Sequence, residues 1–132
     1  MAKKFEIEKS DAEWRQQLTA DQYDVLRRHG TEPPGSSLLD KQYNPGVYKC
    51  AGCGTPLFSS EHKFDSRSGW PSYFQPLEGA IGTSTDFKLF MPRTEVHCAK
   101  CGGHLGHVFD DGPAPTGKRY CINGVSLKFD KE

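Results

Sequence analysis

The sequence has no excess of charge of either sign and no long apolar run. Its 17 Lys and Arg residues balance 17 Asp and Glu residues. We therefore expect neither a nucleic acid nor a membrane as a partner, because a basic surface that would attract either is missing. No apolar stretch approaches the roughly 20 residues of a membrane-spanning helix. The basic residues at the N-terminus precede no apolar segment, which argues against a secretory signal peptide and favours a cytoplasmic protein.

Hydrophobic residues are also scarce, at 35% of 132 residues. A chain of this length fits one domain with a modest core. We expect a single domain over residues 1–132, with a helical N-terminal segment at 10–30 and a β core at 46–130. A core this small gains stability from a metal ion or disulfides, so the cysteines bear strongly on the fold.

The chain has five cysteines, an odd number that fits poorly with a closed disulfide framework. Cys50 with Cys53 and Cys98 with Cys101 form two C-x-x-C pairs, each followed by Gly. This spacing lets both thiolates of a pair face one ion, and the Gly permits the tight turn between them. We predict a closed, structural Zn²⁺ site that joins segments separated by residues 54–97. Redox-active pairs, disulfides and an iron–sulfur cluster are the alternatives.

Local patterns predict short N-terminal helices. Ser10 with Glu13 and Thr19 with Gln22 are two capping boxes, and Gly30 is expected to end the second helix. The Pro-Pro-Gly that follows cannot continue a helix and indicates a connector.

Strands are expected from residue 46 onward. Residues 46–50 and 95–98 lead into the two cysteine pairs, and residues 80–91 alternate, with the odd-numbered positions from 81 to 89 on one face. The dipeptide at 123–124 is Asn-Gly, which predicts a two-residue hairpin between strands at 118–122 and 125–129. These signals indicate a mainly β, mostly antiparallel architecture with small helices.

Cys121 is the one thiol outside the two pairs. In an extended strand it shares a polar face with Arg119 and Asn123, while Tyr120 and Ile122 point to the other side. A cysteine near a cation can have a lowered pKa and act as a nucleophile. A buried, inert thiol is the alternative.

Two histidines and a tryptophan are further candidates for chemistry. His104 and His107 lie in a Gly-rich segment, where an imidazole could give a proton to a departing oxygen, or else bind a metal or stay solvated. Trp70 lies in a Gly-Trp-Pro turn, where it either walls a site for a small methyl-bearing ligand or packs in the core. Asn123 is accounted for by the predicted turn alone.

Taken in order, these motifs resemble the B-type peptide methionine sulfoxide reductases. The similarity runs from about Leu18 to Phe129. It implies two antiparallel sheets, a zinc ion remote from the active site, and reduction of the R epimer of methionine sulfoxide. The motifs that carry it are the two C-x-x-C-G pairs, Phe64-Asp65-Ser66, Gly69-Trp70-Pro71-Ser72, His104-Leu105-Gly106-His107 with the Val-Phe-Asp-Asp-Gly-Pro that follows, and Arg119-Tyr120-Cys121-Ile122-Asn123-Gly124.

The resemblance also implies roles for these residues. The Cys121 thiolate attacks the sulfoxide sulfur and becomes a sulfenic acid. His107, with His104, positions and protonates the departing oxygen. Trp70 holds the S-methyl group, and Asn123 steadies the substrate or a water.

One position departs from the family pattern. Many relatives carry a second cysteine just before Gly-Trp-Pro, which forms a disulfide with the sulfenic acid, but this chain has Ser68 there. We therefore expect an external thiol, such as a thioredoxin-like protein, glutathione or a glutaredoxin, to reduce Cys121. Arg119 is expected to line the substrate site and to help lower the pKa of Cys121.

Two other classes of function fit parts of the pattern. A zinc ribbon that binds nucleic acid or protein would explain the four paired cysteines, but the zero net charge and the lack of a basic stripe disfavour nucleic acid. An acyl-transferring enzyme with Cys121 and His107 as a dyad would need an oxyanion hole, which the sequence does not reveal.

Overall fold

The computed structural model describes residues 5–86 and 92–132. Two short helices, α1 (Asp11–Gln17) and α2 (Ala20–Arg28), precede the strands. In the described residues, no helix combines the length and apolar character that crossing a membrane requires.

Both helices begin at the predicted capping boxes, with Ser10 capping α1 and Thr19 capping α2. The end of α2 differs in one detail. His29, rather than Gly30, adopts the left-handed conformation, with a φ of 58°. A Cβ at Gly30 would contact the carboxyl group of Asp24, which would have to move to admit a side chain.

The strands form two antiparallel sheets, which confirms the predicted mainly β architecture with short N-terminal helices. The smaller sheet has the order β2-β1-β9 and the larger has the order β3-β4-β8-β7-β6-β5. Short 3₁₀ turns span Leu38–Lys41, Ser60–His62 and Gly124–Ser126. The strands are β1 (Gly46–Cys50), β2 (Pro56–Ser59), β3 (Lys63–Phe64), β4 (Ser72–Tyr73), β5 (Ile81–Asp86), β6 (Arg93–Cys98), β7 (His104–Phe109), β8 (Arg119–Ile122) and β9 (Leu127–Lys131).

The hairpin predicted at Asn123-Gly124 is wrong. Strand β8 pairs with β4 and β7 in the larger sheet, whereas β9 pairs with β1 in the smaller one. Asn123 has a φ of −70°, although a type I′ turn needs a positive φ there. Its side-chain amide instead accepts a hydrogen bond from Glu32 N–H and donates one to Leu105 O, both at 2.9 Å. These distant partners hold the chain as it crosses between sheets.

The alternating segment predicted at 80–91 is described in part. Strand β5 covers its first half, with Ile81 packed against the core and Thr83 and Thr85 exposed. The predicted positions 87 and 89 lie outside the described residues.

Aromatic side chains fill the space between the sheets. Phe58 and Tyr73 stack with ring centroids 4.3 Å apart, and both are fully buried. Leu105 and Ile122 are fully buried as well, and each such side chain contributes roughly 1.5–3 kcal/mol of burial free energy. Burial of Ile122 fixes which face of β8 is internal, and so directs Cys121 to the other face.

Candidate functional site

One pocket, of about 440 Å³, gathers most of the predicted site residues. The pairing of β7 with β8 explains how, because His107 lies opposite Cys121 and Phe109 lies opposite Arg119. Trp70 comes from the loop before β4. The described residues that line the pocket are Thr31, Ser68, Trp70, Arg93, Gly106, His107, Phe109, Arg119, Cys121 and Asn123.

Cys121 lies in this pocket with its thiol largely desolvated. Burial raises the pKa of Cys121 above its usual value, and the charge of Arg119 and a hydrogen bond from Ser68 offset this shift in part. Arg119 therefore lowers the pKa of Cys121, as predicted, but its effect is smaller than that of burial. Its guanidinium is held by Asp111, with Nε–Oδ1 at 2.8 Å and Nη2–Oδ2 at 3.1 Å, which partly neutralises its charge.

His104 is not among the described residues that line the pocket. Its ring lies behind that of His107, with centroids 5.5 Å apart, and it is 2% exposed. His104 Nδ1 lies 2.8 Å from Glu95 Oε2. The other carboxylate oxygen of Glu95 accepts from Ser84 Oγ at 2.7 Å and contacts His97 Nδ1 at 3.2 Å.

These contacts decide the charge of Glu95. Burial alone would raise the pKa of Glu95, but hydrogen bonds from His104, His97 and Ser84 outweigh it, so the pKa lies well below the usual range. An ionised carboxylate only accepts hydrogen bonds. The proton of His104 therefore lies on Nδ1, where it is donated to Glu95, and this fixes the orientation of the ring.

Glu32 ties the connector after α2 to the segment after Cys121. Its carboxylate accepts from Gly124 N–H at 2.8 Å and from Val125 N–H at 2.9 Å. Its carbonyl oxygen accepts from Trp70 Nε1 at 2.9 Å, which satisfies the polar atom of the indole and leaves the ring for the pocket wall. Burial raises the pKa of Glu32 despite the two N–H donors.

The four paired cysteines converge on one point. Their ligand atoms lie within 4.8 Å of one another, with Cys50 Sγ 3.7 Å from Cys101 Sγ and Cys53 Sγ 3.6 Å from Cys98 Sγ. A tetrahedral ion with Zn–S bonds of about 2.3 Å sets sulfur–sulfur distances of about 3.8 Å, so the donor set fits. The Gly after each pair has a positive φ, 80° and 76°, as the predicted tight turns require.

This cluster is separate from the pocket. None of its cysteines is among the described residues that line the pocket. Cys50 ends a strand of the smaller sheet and Cys98 ends a strand of the larger one. An ion held here would therefore join the two sheets, which is a structural role.

Comparison with models of known protein families identifies one that matches most of this chain. The model of the SelR domain matches residues 18–131. The chain belongs to the SelR domain family. The matched region contains both the pocket and the four-cysteine cluster.

Curated relatives of this SelR domain chain cover nearly its whole length. The peptide methionine sulfoxide reductase MsrB of Leptospira interrogans is 54% identical over 129 residues, which are 97% of this chain and 98% of the relative. MsrB of Agrobacterium fabrum is 55% identical over 125 residues, 94% of this chain and 93% of the relative. MsrB of Methanosarcina barkeri is 54% identical over 127 residues, 96% of this chain and 89% of the relative.

Ser68 lies beside Cys121 and lowers the pKa of its thiol. Both residues line the pocket, and Ser72, the first residue of β4 after this loop, pairs with Cys121 of β8. The resolving position of the family pattern, occupied here by a hydroxyl, thus faces the candidate nucleophile.

The sequence analysis assigned no site role to Thr31, Arg93 or Phe109, which line the pocket, or to Glu32, which braces it. Phe109 shares the pocket face with His107, and its position two residues along the strand could have indicated this. Arg93 and Glu32 come from distant segments. For Glu32 the available signal was an acidic residue just before Pro-Pro in a connector, and Arg93 offered no local signal.

Proposed function

We propose that this chain reduces the R epimer of methionine sulfoxide, in peptides or as the free amino acid, with Cys121 as the nucleophile. The names of the relatives support sulfoxide reduction. The observation that carries the proposal is that one thiol and one imidazole, paired across β7 and β8, share a pocket with an indole ring.

The reaction balances without an external proton. Cys121 sulfur bonds to the sulfoxide sulfur and the S–O bond breaks, which releases the protonated oxygen as hydroxide. The hydroxide oxygen then bonds to Cys121 sulfur as the S–S bond breaks, so methionine leaves with the electron pair and Cys121 becomes a sulfenic acid. Because burial raises the pKa of Cys121, the resting thiol keeps its proton. That proton is available for the sulfoxide oxygen as the thiolate forms.

His107 is the group that handles this proton. It lies opposite Cys121 in the strand register and lines the pocket. Proton transfer to an oxygen that becomes more basic as its bond breaks stabilises mainly the transition state. His104 acts behind it as a positioning residue, oriented by its bond to Glu95.

Trp70, Asn123 and Arg119 form the rest of the substrate site. The Trp70 ring offers an apolar surface to the S-methyl group. The Asn123 amide is bound to Glu32 N–H and Leu105 O, so a substrate or water meets it in a fixed orientation. Arg119 contributes positive charge at the pocket wall, and its charge lowers the pKa of Cys121 relative to burial alone.

The cofactor in this proposal is one Zn²⁺ held by Cys50, Cys53, Cys98 and Cys101. When bound, it supplies a closed cross-link between the sheets and leaves no coordination position for substrate. The sulfenic acid on Cys121 is reduced by an external thiol, such as a thioredoxin-like protein, in a reducing compartment such as the cytoplasm.

The test is an assay with separated R and S sulfoxide peptides and dithiothreitol. We expect turnover of the R epimer, little of the S epimer, and none in Cys121→Ser. Cys53→Ser serves as a contrast, since it should lose zinc and stability rather than the nucleophile. Equal rates of reduction of the two epimers, or an active Cys121→Ser protein, would refute the proposal.

The role of His107 is tested by its kinetic signature. His107→Ala should lower kcat and kcat/KM together, because its interaction with the oxygen arises as the S–O bond breaks. His107→Gln, which retains hydrogen bonding without proton donation, should stay slow. A variant in which KM alone changes would show that the histidine only binds substrate.

A further inference from the structure

A second cluster of metal-ligating side chains lies behind the pocket. His29, Glu95 and His104 present ligand atoms that all lie within 4.8 Å of one another. Glu95 Oε2 is 2.8 Å from His104 Nδ1 and 3.7 Å from His29 Nε2. We propose that these three residues bind a divalent transition ion, Zn²⁺ in the first instance, and that its binding inhibits the reductase.

The distances fit such an ion with small adjustments. Zn²⁺ binds imidazole nitrogen at about 2.0–2.1 Å and carboxylate oxygen at about 2.0–2.2 Å, so tetrahedral geometry sets donor–donor distances of about 3.3–3.5 Å. The two distances from Glu95 Oε2, 2.8 and 3.7 Å, lie on either side of this value. Two imidazoles and one carboxylate are also the ligands of zinc sites that keep a fourth position open.

Glu95 is braced for such a role. While Oε2 faces the two histidines, Oε1 is held by Ser84 Oγ at 2.7 Å and by His97 Nδ1 at 3.2 Å. Contacts of this kind orient a ligand before the ion arrives. A dication would also gain from a carboxylate held in a region of low dielectric constant.

His29 supplies the route for entry. Its side chain is 55% exposed, whereas those of Glu95 and His104 are 6% and 2% exposed. An ion can meet His29 first, and the open side leaves room for a water ligand. His29 ends α2 in the left-handed conformation, and its ring lies 5.1 Å from that of His104. This backbone geometry brings an exposed imidazole over two buried ligands.

Inhibition follows from the ligand that the ion shares with the active site, and this part rests on the proposed function. His104 Nδ1 cannot bind a metal while it donates its proton to Glu95. Binding moves that proton to Nε2 and replaces the hydrogen bond that orients the ring. The ring of His107 packs against the ring of His104, with centroids 5.5 Å apart, so a change in the orientation of His104 would also shift His107.

Equilibrium dialysis against Zn²⁺, followed by metal analysis, tests the site. The purified protein should bind one ion that survives brief chelation and a second that is readily removed. His29→Ala should lower the affinity for the second ion by at least about tenfold, since even changes to residues that only orient the ligands alter metal affinity about 10–100-fold. His62→Ala is the matched control and should bind like wild type, because His62 is outside the cluster and its Nε2 lies 3.3 Å from Gln75 Nε2.

A Cys121→Ser background separates this site from the pocket, where a thiol and an imidazole could hold a stray ion. The Cys121→Ser protein should still bind the second ion. Its loss in Cys121→Ser, or equal binding by wild type and His29→Ala, would overturn the proposed site.

Activity provides the second readout. Zn²⁺ should slow the wild-type reductase reversibly, while His29→Ala should keep its basal rate and resist inhibition by at least about tenfold more zinc. Equal inhibition of both proteins would refute the inhibitory role. If neither protein turns over sulfoxide, the proposed function fails, while the dialysis still decides the metal site.

Discussion

Glu32→Gln measures how much the buried connector contributes to this fold. Each carboxylate oxygen of Glu32 accepts one backbone N–H, from Gly124 and Val125, and the residue is 7% exposed. A glutamine amide can accept one of these bonds, but its NH₂ group then faces the other N–H donor. One buried donor is left unsatisfied, which costs about 1–3 kcal/mol, and Glu32→Ala leaves two, which costs about 2–6 kcal/mol.

The pH dependence has a defined sign. Burial raises the pKa of Glu32 above its ordinary value of 4.5, so the folded protein binds a proton there more readily than the unfolded chain. Wild type should therefore gain stability relative to Glu32→Gln as the pH falls from neutral towards 4.5.

Urea unfolding followed by tryptophan fluorescence gives the free energy of unfolding for each variant. Glu78→Gln, at an exposed glutamate, is the control and should match wild type. The Glu32 carboxylate anchors the connector whose backbone carbonyl accepts from Trp70 Nε1, so a loosened connector should also lower kcat/KM for sulfoxide. The reasoning fails if Glu32→Gln unfolds within about 0.5 kcal/mol of wild type, the range of surface substitutions.

Three further predictions concern the two cysteine sites. The rate of Cys121 alkylation, followed by mass spectrometry, should rise toward alkaline pH with a midpoint above 9.0, because burial raises the pKa of Cys121. Arg119→Met should move this midpoint higher, since the charge of Arg119 lowers that pKa. A midpoint near neutral pH would contradict this reasoning. Cys98→Ser should lose bound zinc and soluble yield, because an ion held by the four cysteines would join the two sheets. Metal analysis that finds no zinc in stable, active wild type would refute this structural role. One turnover without reductant should leave a sulfenic acid on Cys121 and no internal disulfide. The Ser68→Cys variant should instead form a disulfide between the new cysteine and Cys121, and peptide mapping without reduction distinguishes the two outcomes. A disulfide from Cys121 to one of the four paired cysteines would refute reduction by an external thiol.

Features that depend on neighbours in the chain could be predicted from the sequence. Both capping boxes form as expected, because Ser10 and Thr19 find their partners three residues away. Each C-x-x-C-G pair forms its predicted tight turn, with a positive φ at the Gly that follows the second cysteine. Strand alternation likewise put Cys121 on the face opposite Ile122.

Features that depend on distant partners needed the tertiary structure. The Asn123-Gly124 hairpin was wrong because Asn123 bonds to Glu32 and Leu105, and these contacts draw β9 into the other sheet. A bulge where β6 pairs with β7, together with Glu95, places His104 behind the pocket rather than in its wall.

The sequence by itself determined the helix starts, the turn within each cysteine pair and the polar face that carries Cys121, because each is set by short-range backbone geometry and side-chain spacing. The tertiary structure decided how far Cys121 is desolvated, that Ser68 lies beside it, and that Glu32 braces the site. These properties follow from burial and hydrogen bonds between segments up to 93 residues apart. Such contacts exist once both sheets have closed around a common core, and no local pattern encodes them.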